Sequence, residues 1–261
     1  MSVSIKKNIK VLVEFLLIPF VFLNALLLLK IRKIGIAKFK YIKKILLNIG
    51  IFPIIDHYYE PLFITKHLKS LKLDRELPGI DWNLEEQLSL LNNFNYNVEL
   101  EKLELNEPNR FRFDNSSFKS GDAEYYYNII RYYKPNKIIE IGSGNSTLLA
   151  LEAIKQNRIE GDFCDIVCIE PYEAQWLEKK EVKVIRRKAE EIEKKFFLSL
   201  NRNDILFIDS SHIIRPQGDV LYEYLEILPI LNSGVLIHIH DIFTPKRLFR
   251  RVGIRQCLFL E

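Results

Sequence analysis

One feature constrains this chain more than any other: from Ser120 onward, short apolar runs alternate with helix-compatible stretches. The runs are Lys137–Ile141 (KIIEI), Asp165–Glu170 (DIVCIE), Val182–Ile185 (VKVI), Asp204–Ser211 (DILFIDSS) and Gly234–Asp241 (GVLIHIHD). Between them lie Ser146–Asn157, Glu173–Lys180, Ala189–Leu200 and a helix expected from about Gly218 to Leu231. A further helix is expected before the first run, capped by Asp122 and stopped by Pro135. Strands that are apolar almost throughout must be covered on both faces, which favours a parallel sheet. With right-handed crossovers, the fold class is α/β, a doubly wound and mostly parallel sheet. Ligands of such sheets bind beyond the carboxyl ends of the strands. Glu140–Ser146, Glu170–Tyr172, Asp209–His212 and His240–Ile242 therefore share one rim, where the chemistry is expected.

The remainder of the chain is organised differently. Residues 1–50 hold ten Lys/Arg and the single acid Glu14, so the rest is net acidic although the whole carries +4. Val11–Ile31 is apolar apart from Glu14, Asn24 and Lys30, and about 20 helical residues cross a bilayer core. Cations are more numerous after this run than before it, which predicts a cytoplasmic body under the positive-inside rule. A surface-lying amphipathic arm and a packed soluble helix are the alternatives. A basic arm around an apolar run points to a membrane surface and away from nucleic acid. The three cysteines fit neither a disulfide framework nor a paired-cysteine zinc site. The expected domains are a membrane-associating arm (1–50), a connecting or lid region (51–119) and a ligand-binding domain (120–261). Within the lid region, DHYYE (Asp56–Glu60) offers donors, acceptors and aromatic faces together, and Asn83 gives a capping signal.

Glu140-Ile-Gly142-Ser-Gly144-Asn-Ser146-Thr ends a strand and opens a helix. Gly142 permits a tight turn, and Gly144 removes a side chain where a ligand approaches the backbone. A dinucleotide fingerprint wants a third Gly where Thr147 stands, and has no need of Glu140, whose carboxylate can meet an amine. Glu170 ends the next strand, placed to accept both hydroxyls of a ribose.

This ordered set resembles the class I S-adenosylmethionine-dependent methyltransferases over about Ser120 to Lys246. The stretches DHYYEPLF, IIEIGSGNST, CIEPYE, FIDSSHIIRPQGDV and LIHIHDIF are similar to a bacterial branch of that superfamily. The resemblance implies a Rossmann-like domain in which Glu140, Gly142, Gly144, Asn145 and Ser146 hold the methionine part of S-adenosyl-L-methionine. It implies that Glu170 holds the ribose, that Ala189 and Glu190 flank the adenine, and that Pro171 and Asp209 also bind the cofactor. The implied reaction moves a methyl group to a small-molecule, glycan or lipid acceptor, at a hydroxyl, with His212, His240 and Asp209 as catalytic candidates. Asp209 and Asp241 resemble the magnesium positions of catechol-type relatives, but Ile242 replaces their Asn ligand. His238 and His240 share a strand face that suits a softer metal. No metal is assigned. Relatives also add two strands after the fifth, whereas 20 residues follow Asp241 here, so a truncated domain with an open sheet edge is expected. Two alternatives remain open: an inactive cofactor-binding scaffold and a nicotinamide-dependent oxidoreductase, the latter disfavoured by Thr147 and Glu140.

Overall fold

A computed structural model of the chain describes residues 3–55, 78–103, 110–115 and 117–242. Two units organise it, one within residues 1–76 and a body within 77–244. DHYYE and the tail after Ile242, with Cys257, lie outside the described residues.

In the N-terminal unit, α1 (Val3–Ile34) runs through the apolar stretch and contains Pro19. Its segment Ile9–Ile34 is long and apolar enough to cross a membrane, with a mean hydropathy of 2.5. Asn24, the polar residue in mid-segment, donates to the Phe20 carbonyl at 2.8 Å, so its amide is satisfied within the helix. Gly35, at φ 106°, ends α1, and α2 (Lys40–Ile49) follows, closed by Gly50 in the left-handed conformation.

In the body, α3 (Leu84–Asn92) and α4 (Asn97–Leu103) precede α5 (Asp122–Tyr133). Asn83 stands at the start of α3, but its side chain meets Glu86 rather than the backbone. At α5 the cap is Gly121, whose N–H is taken by Glu124, while Asp122 is the first helical residue. Beyond α5, strands β1 (Lys137–Ile141), β2 (Asp165–Ile169), β3 (Lys183–Ile185), β4 (Ile205–Ile208) and β5 (Leu236–Ile239) form one parallel sheet in the order β3-β2-β1-β4-β5. The α/β reading of the sequence holds. The order reverses between β1 and β4, which makes their carboxyl ends the switch point.

Alternation along β1 divides the core. Ile138 packs with Ile166, Cys168, Ile205 and Phe207 under α5 and α6 (Asn145–Ile159). Ile139 and Ile141 pack on the other face with Ile169, Leu206, Ile208, Phe197 and Ile227. Each such side chain, fully buried, contributes roughly 1.5–3 kcal/mol. Cys164 and Cys168 are free and buried.

The connections after β2 and β3 are less helical than their sequences suggest. Glu173–Lys180 yields only a 3-10 segment at Gln175–Lys179, and Ala189–Leu200 yields Ala189–Glu191 and the single turn α7 (Lys194–Phe197). The Arg186 guanidinium takes the carbonyls of Glu170, Glu173 and Ala174 and pairs with Glu178, holding the first of these as a compact loop. The expected helix at Gly218–Leu231 is composite: α8 (Asp219–Tyr222), a π turn at Glu223–Ile227 and a 3-10 turn at Leu228–Ile230. Pro229 has no N–H with which to continue an α-helical ladder.

Candidate functional site

Gly142 is required by the fold. Its φ is +79°, and a Cβ there would lie 1.9 Å from the Asp209 carbonyl oxygen. Its N–H donates to the Ile169 carbonyl at 3.0 Å, while the Asp209 N–H donates to Ile141 at 2.8 Å, so β2, β1 and β4 are stitched together at the turn. Gly144 is different. A Cβ there would meet nothing within 4 Å, so the empty side-chain position serves whatever approaches α6 from outside.

Glu140 lies beneath this loop rather than at its surface. It is fully buried, with Tyr126 donating to Oε1 at 3.3 Å and the Thr147 hydroxyl donating to Oε2. Thr147 Oγ1 in turn accepts the Gly144 N–H at 3.2 Å. The residue standing where a dinucleotide motif has Gly thus links a buried acid to the loop backbone. Burial pushes the Glu140 carboxyl up to about 7 against the pull of those two hydroxyls. Ser146 is buried beside it. Asn145 turns away from the loop, donating to Ser117 Oγ at 2.8 Å and Asn115 Oδ1 at 3.3 Å.

Glu170 caps its own loop: Oε1 accepts the N–H groups of Tyr172 and Glu173, both at 2.9 Å. Among the described residues Oε2 has a single long 3.4 Å contact, from the Ser143 N–H, and retains acceptor capacity. The Ser143 hydroxyl is buried beside the Cys168 thiol, which it faces as a weak hydrogen-bond partner. An open glycine position and a carboxylate with spare acceptor capacity thus lie around one turn at the switch point. Pro171 and Tyr172 follow on the same rim. Ala189 is buried in the lower core and offers only its backbone, whereas Glu190 is half-buried.

Across the switch point, His212 Nε2 lies 3.2 Å from Asp209 Oδ1. That hydrogen bond raises the His212 pKa above its ordinary value. His212 adopts φ 55°, and Asp241 likewise φ 55°, so both loops carry non-glycine residues in the left-handed region. The Asp219 carboxylate pins the first of them through the Ser211 N–H (2.8 Å) and hydroxyl (2.7 Å). His240 is close by but only 6% exposed, with its ring against Phe118 at 5.0 Å. Asp209, His240 and Asp241 each offer a donor atom within 4.8 Å of the others, a mixed nitrogen and oxygen set able to hold a divalent cation. His238 is not part of it: its ring stacks on Phe207 at 4.7 Å, and burial pushes its pKa down to about 4.

Two neighbours escape sequence reasoning. Phe118 reaches the site by tertiary packing alone. Glu223 is fully buried at the π turn, where Oε2 accepts from Ser210 at 2.9 Å and Oε1 has no partner among the described residues. Burial pushes its carboxyl up to about 7. No periodicity marks such an acid, although π turns recur at functional sites.

Residues 139–242 match the methyltransferase domain family. The chain is also similar to an uncharacterized protein of Archaeoglobus fulgidus, 32% identical over 171 residues that span 59% of this chain and 76% of that protein. No solved structure matches.

Proposed function

The chain belongs to the class I methyltransferases, and on that premise we propose that it methylates an acceptor hydroxyl at the cytoplasmic face of a membrane. Use of S-adenosyl-L-methionine is general to the family, and when bound it supplies an electrophilic methyl on a sulfonium. In this reading the open position at Gly144, with Ser143 and Glu170, receives the cofactor's amino acid and ribose. Glu140 acts through Thr147 to hold that loop, and Pro171, Ala189 and Glu190 border the adenine side. The observation that carries the assignment is the contrast between the two glycines, one closed by the fold and one left open at the switch point.

His212 is the base we favour, being exposed on the rim while His240 is buried. With its proton on Nε2 and directed at Asp209, Nδ1 keeps a lone pair for the acceptor hydroxyl. With the cofactor bound as the methyl source, His212 would take the hydroxyl proton as the acceptor oxygen is methylated. The remaining task of the protein is to align the pair and exclude water. Asp209, His240 and Asp241 could steady an acceptor oxygen directly or through a cation.

For the membrane, the support is Ile9–Ile34 and the cations that follow it. A membrane-bound acceptor, either glycan or lipid, fits that setting, and a small molecule fits the site equally.

Titration of the detergent-solubilised full chain with S-adenosylhomocysteine and with NAD tests the cofactor; preference for NAD would overturn the reading. Labelled methyl uptake into membrane lipids, glycans and small hydroxylated compounds then identifies the acceptor. Pelleting that survives high salt and carbonate would support a spanning helix, whereas release by salt alone would indicate a surface-bound arm.

A further inference from the structure

We infer that α2 is an interfacial helix that docks on the anionic headgroup surface of the leaflet reached by the end of α1; this rests on the membrane tether proposed above. Around the axis of α2, Tyr41, Ile42, Ile45, Leu46 and Ile49 fall on one side, and Lys40, Lys43, Lys44 and Asn48 on the other, with the exposed Leu47 among the lysines. Ile42 and Leu46 are half-buried within the N-terminal unit. Tyr41, Ile45 and Ile49, spaced i, i+4, i+8, remain 80%, 56% and 65% exposed. An apolar stripe bordered by lysines meets both parts of a headgroup boundary, with side chains entering the acyl edge and ammonium groups reaching phosphates. Tyrosine is a residue of that depth.

Position and charge identify the occupant. The chain turns at Gly35 directly after the apolar segment, so α2 begins within a few residues of its end. The Arg32 guanidinium lies 5.3 Å from the Phe52 ring centre, which ties the chain leaving α2 back to the last turn of α1. From Lys30 to Gly50 there are seven Lys/Arg and no acid. A juxtamembrane cluster of that density is complementary to anionic phospholipid, and the attraction decays within a Debye length.

The test uses the full chain carrying Cys257→Ser and an environment-sensitive fluorophore on Ile45→Cys, since Cys164 and Cys168 are buried. It is reconstituted into vesicles of phosphatidylcholine alone or mixed with phosphatidylglycerol. The expected result is flotation with both vesicles, but a blue shift and stronger emission only with phosphatidylglycerol. High salt, or Lys40, Lys43 and Lys44 all changed to Glu, removes the shift without removing flotation. Flotation with no lipid-dependent shift, or a shift unchanged in the triple Glu variant, overturns the docking of α2 and leaves the tether standing. A shift that follows protein concentration instead of lipid overturns it in favour of a second copy on the apolar face. Failure to float with either vesicle overturns the tether, and the docking with it.

Discussion

Substituting the two glycines of the first loop separates what the fold requires from what the ligand requires. In Gly142→Ala the new Cβ would sit 1.9 Å from a backbone oxygen of the neighbouring strand end, at φ +79°. The left-handed backbone alone costs roughly 1–2 kcal/mol for a residue with Cβ, and overpacking against fixed backbone adds about 1–3 kcal/mol. Relief by separating the ends of β1 and β4 would lose the Asp209 to Ile141 hydrogen bond, worth about 1 kcal/mol. The sum is on the order of 3–6 kcal/mol, and at roughly 2–4 °C per kcal/mol the body should melt about 6–24 °C lower. In Gly144→Ala the new Cβ meets nothing within 4 Å, so its melting temperature should fall far less than that of Gly142→Ala. Its affinity for S-adenosylhomocysteine should nonetheless fall at least about tenfold, or roughly 1.4 kcal/mol, because the methyl group occupies the approach path. Thermal melts of the full chain in detergent, paired with calorimetric titration, give both readouts. Unchanged S-adenosylhomocysteine affinity in Gly144→Ala, or an unchanged melting temperature in Gly142→Ala, would refute this division of roles.

Three other substitutions probe the site and its support. The Glu140 carboxyl is held at about 7 in the fold, above its ordinary 4.5, so the folded chain keeps a proton that the unfolded chain releases between those values. Its contribution is complete below pH 4.5 and is lost as pH rises to 7, by about 3 kcal/mol. Glu140→Gln cannot ionise, so urea unfolding should show its stability relative to the parent rising from pH 5 to pH 8; a pH-independent difference would mean that Glu140 is not neutral in the fold. Glu223 titrates in the same window and contributes equally to both proteins, so the difference isolates Glu140. Glu170→Ala should weaken S-adenosylhomocysteine binding by about 1.5–3 kcal/mol for each ribose hydroxyl it accepts, and equal dissociation constants would remove it from the site. Arg131 is buried, with a bidentate pair to Glu99 on α4 at 2.8 and 3.0 Å, and also reaches Glu160. Arg131→Met leaves Glu99 and the buried Asn157 amide oxygen without this donor, while Glu160 keeps Lys134, and should destabilise the body by roughly 1–3 kcal/mol. A loss below 1 kcal/mol on denaturation would show the network to be dispensable.

The sequence by itself determined the sheet, its helical cover and the rim. KIIEI, DIVCIE and DILFIDSS are apolar on both faces and can be satisfied only inside a covered parallel sheet, and a parallel sheet places its strand ends together. It also marked Gly142, Gly144 and Glu170, because a tight turn and an acid at a strand end are local features. The helical content of Glu173–Lys180 and Ala189–Leu200 was not legible, since long-range contacts from Arg186 shape the first of these segments. Nor could spacing reveal that Glu140 lies buried beneath its loop, that His240 is enclosed while His212 is exposed, or that Glu223 approaches through Ser210. Those outcomes depend on which face of a strand or turn each side chain occupies after β1, β4 and β5 pack side by side. Periodicity is a property of neighbours along the chain, whereas desolvation and donor distance belong to neighbours in space, and only the tertiary structure decides them.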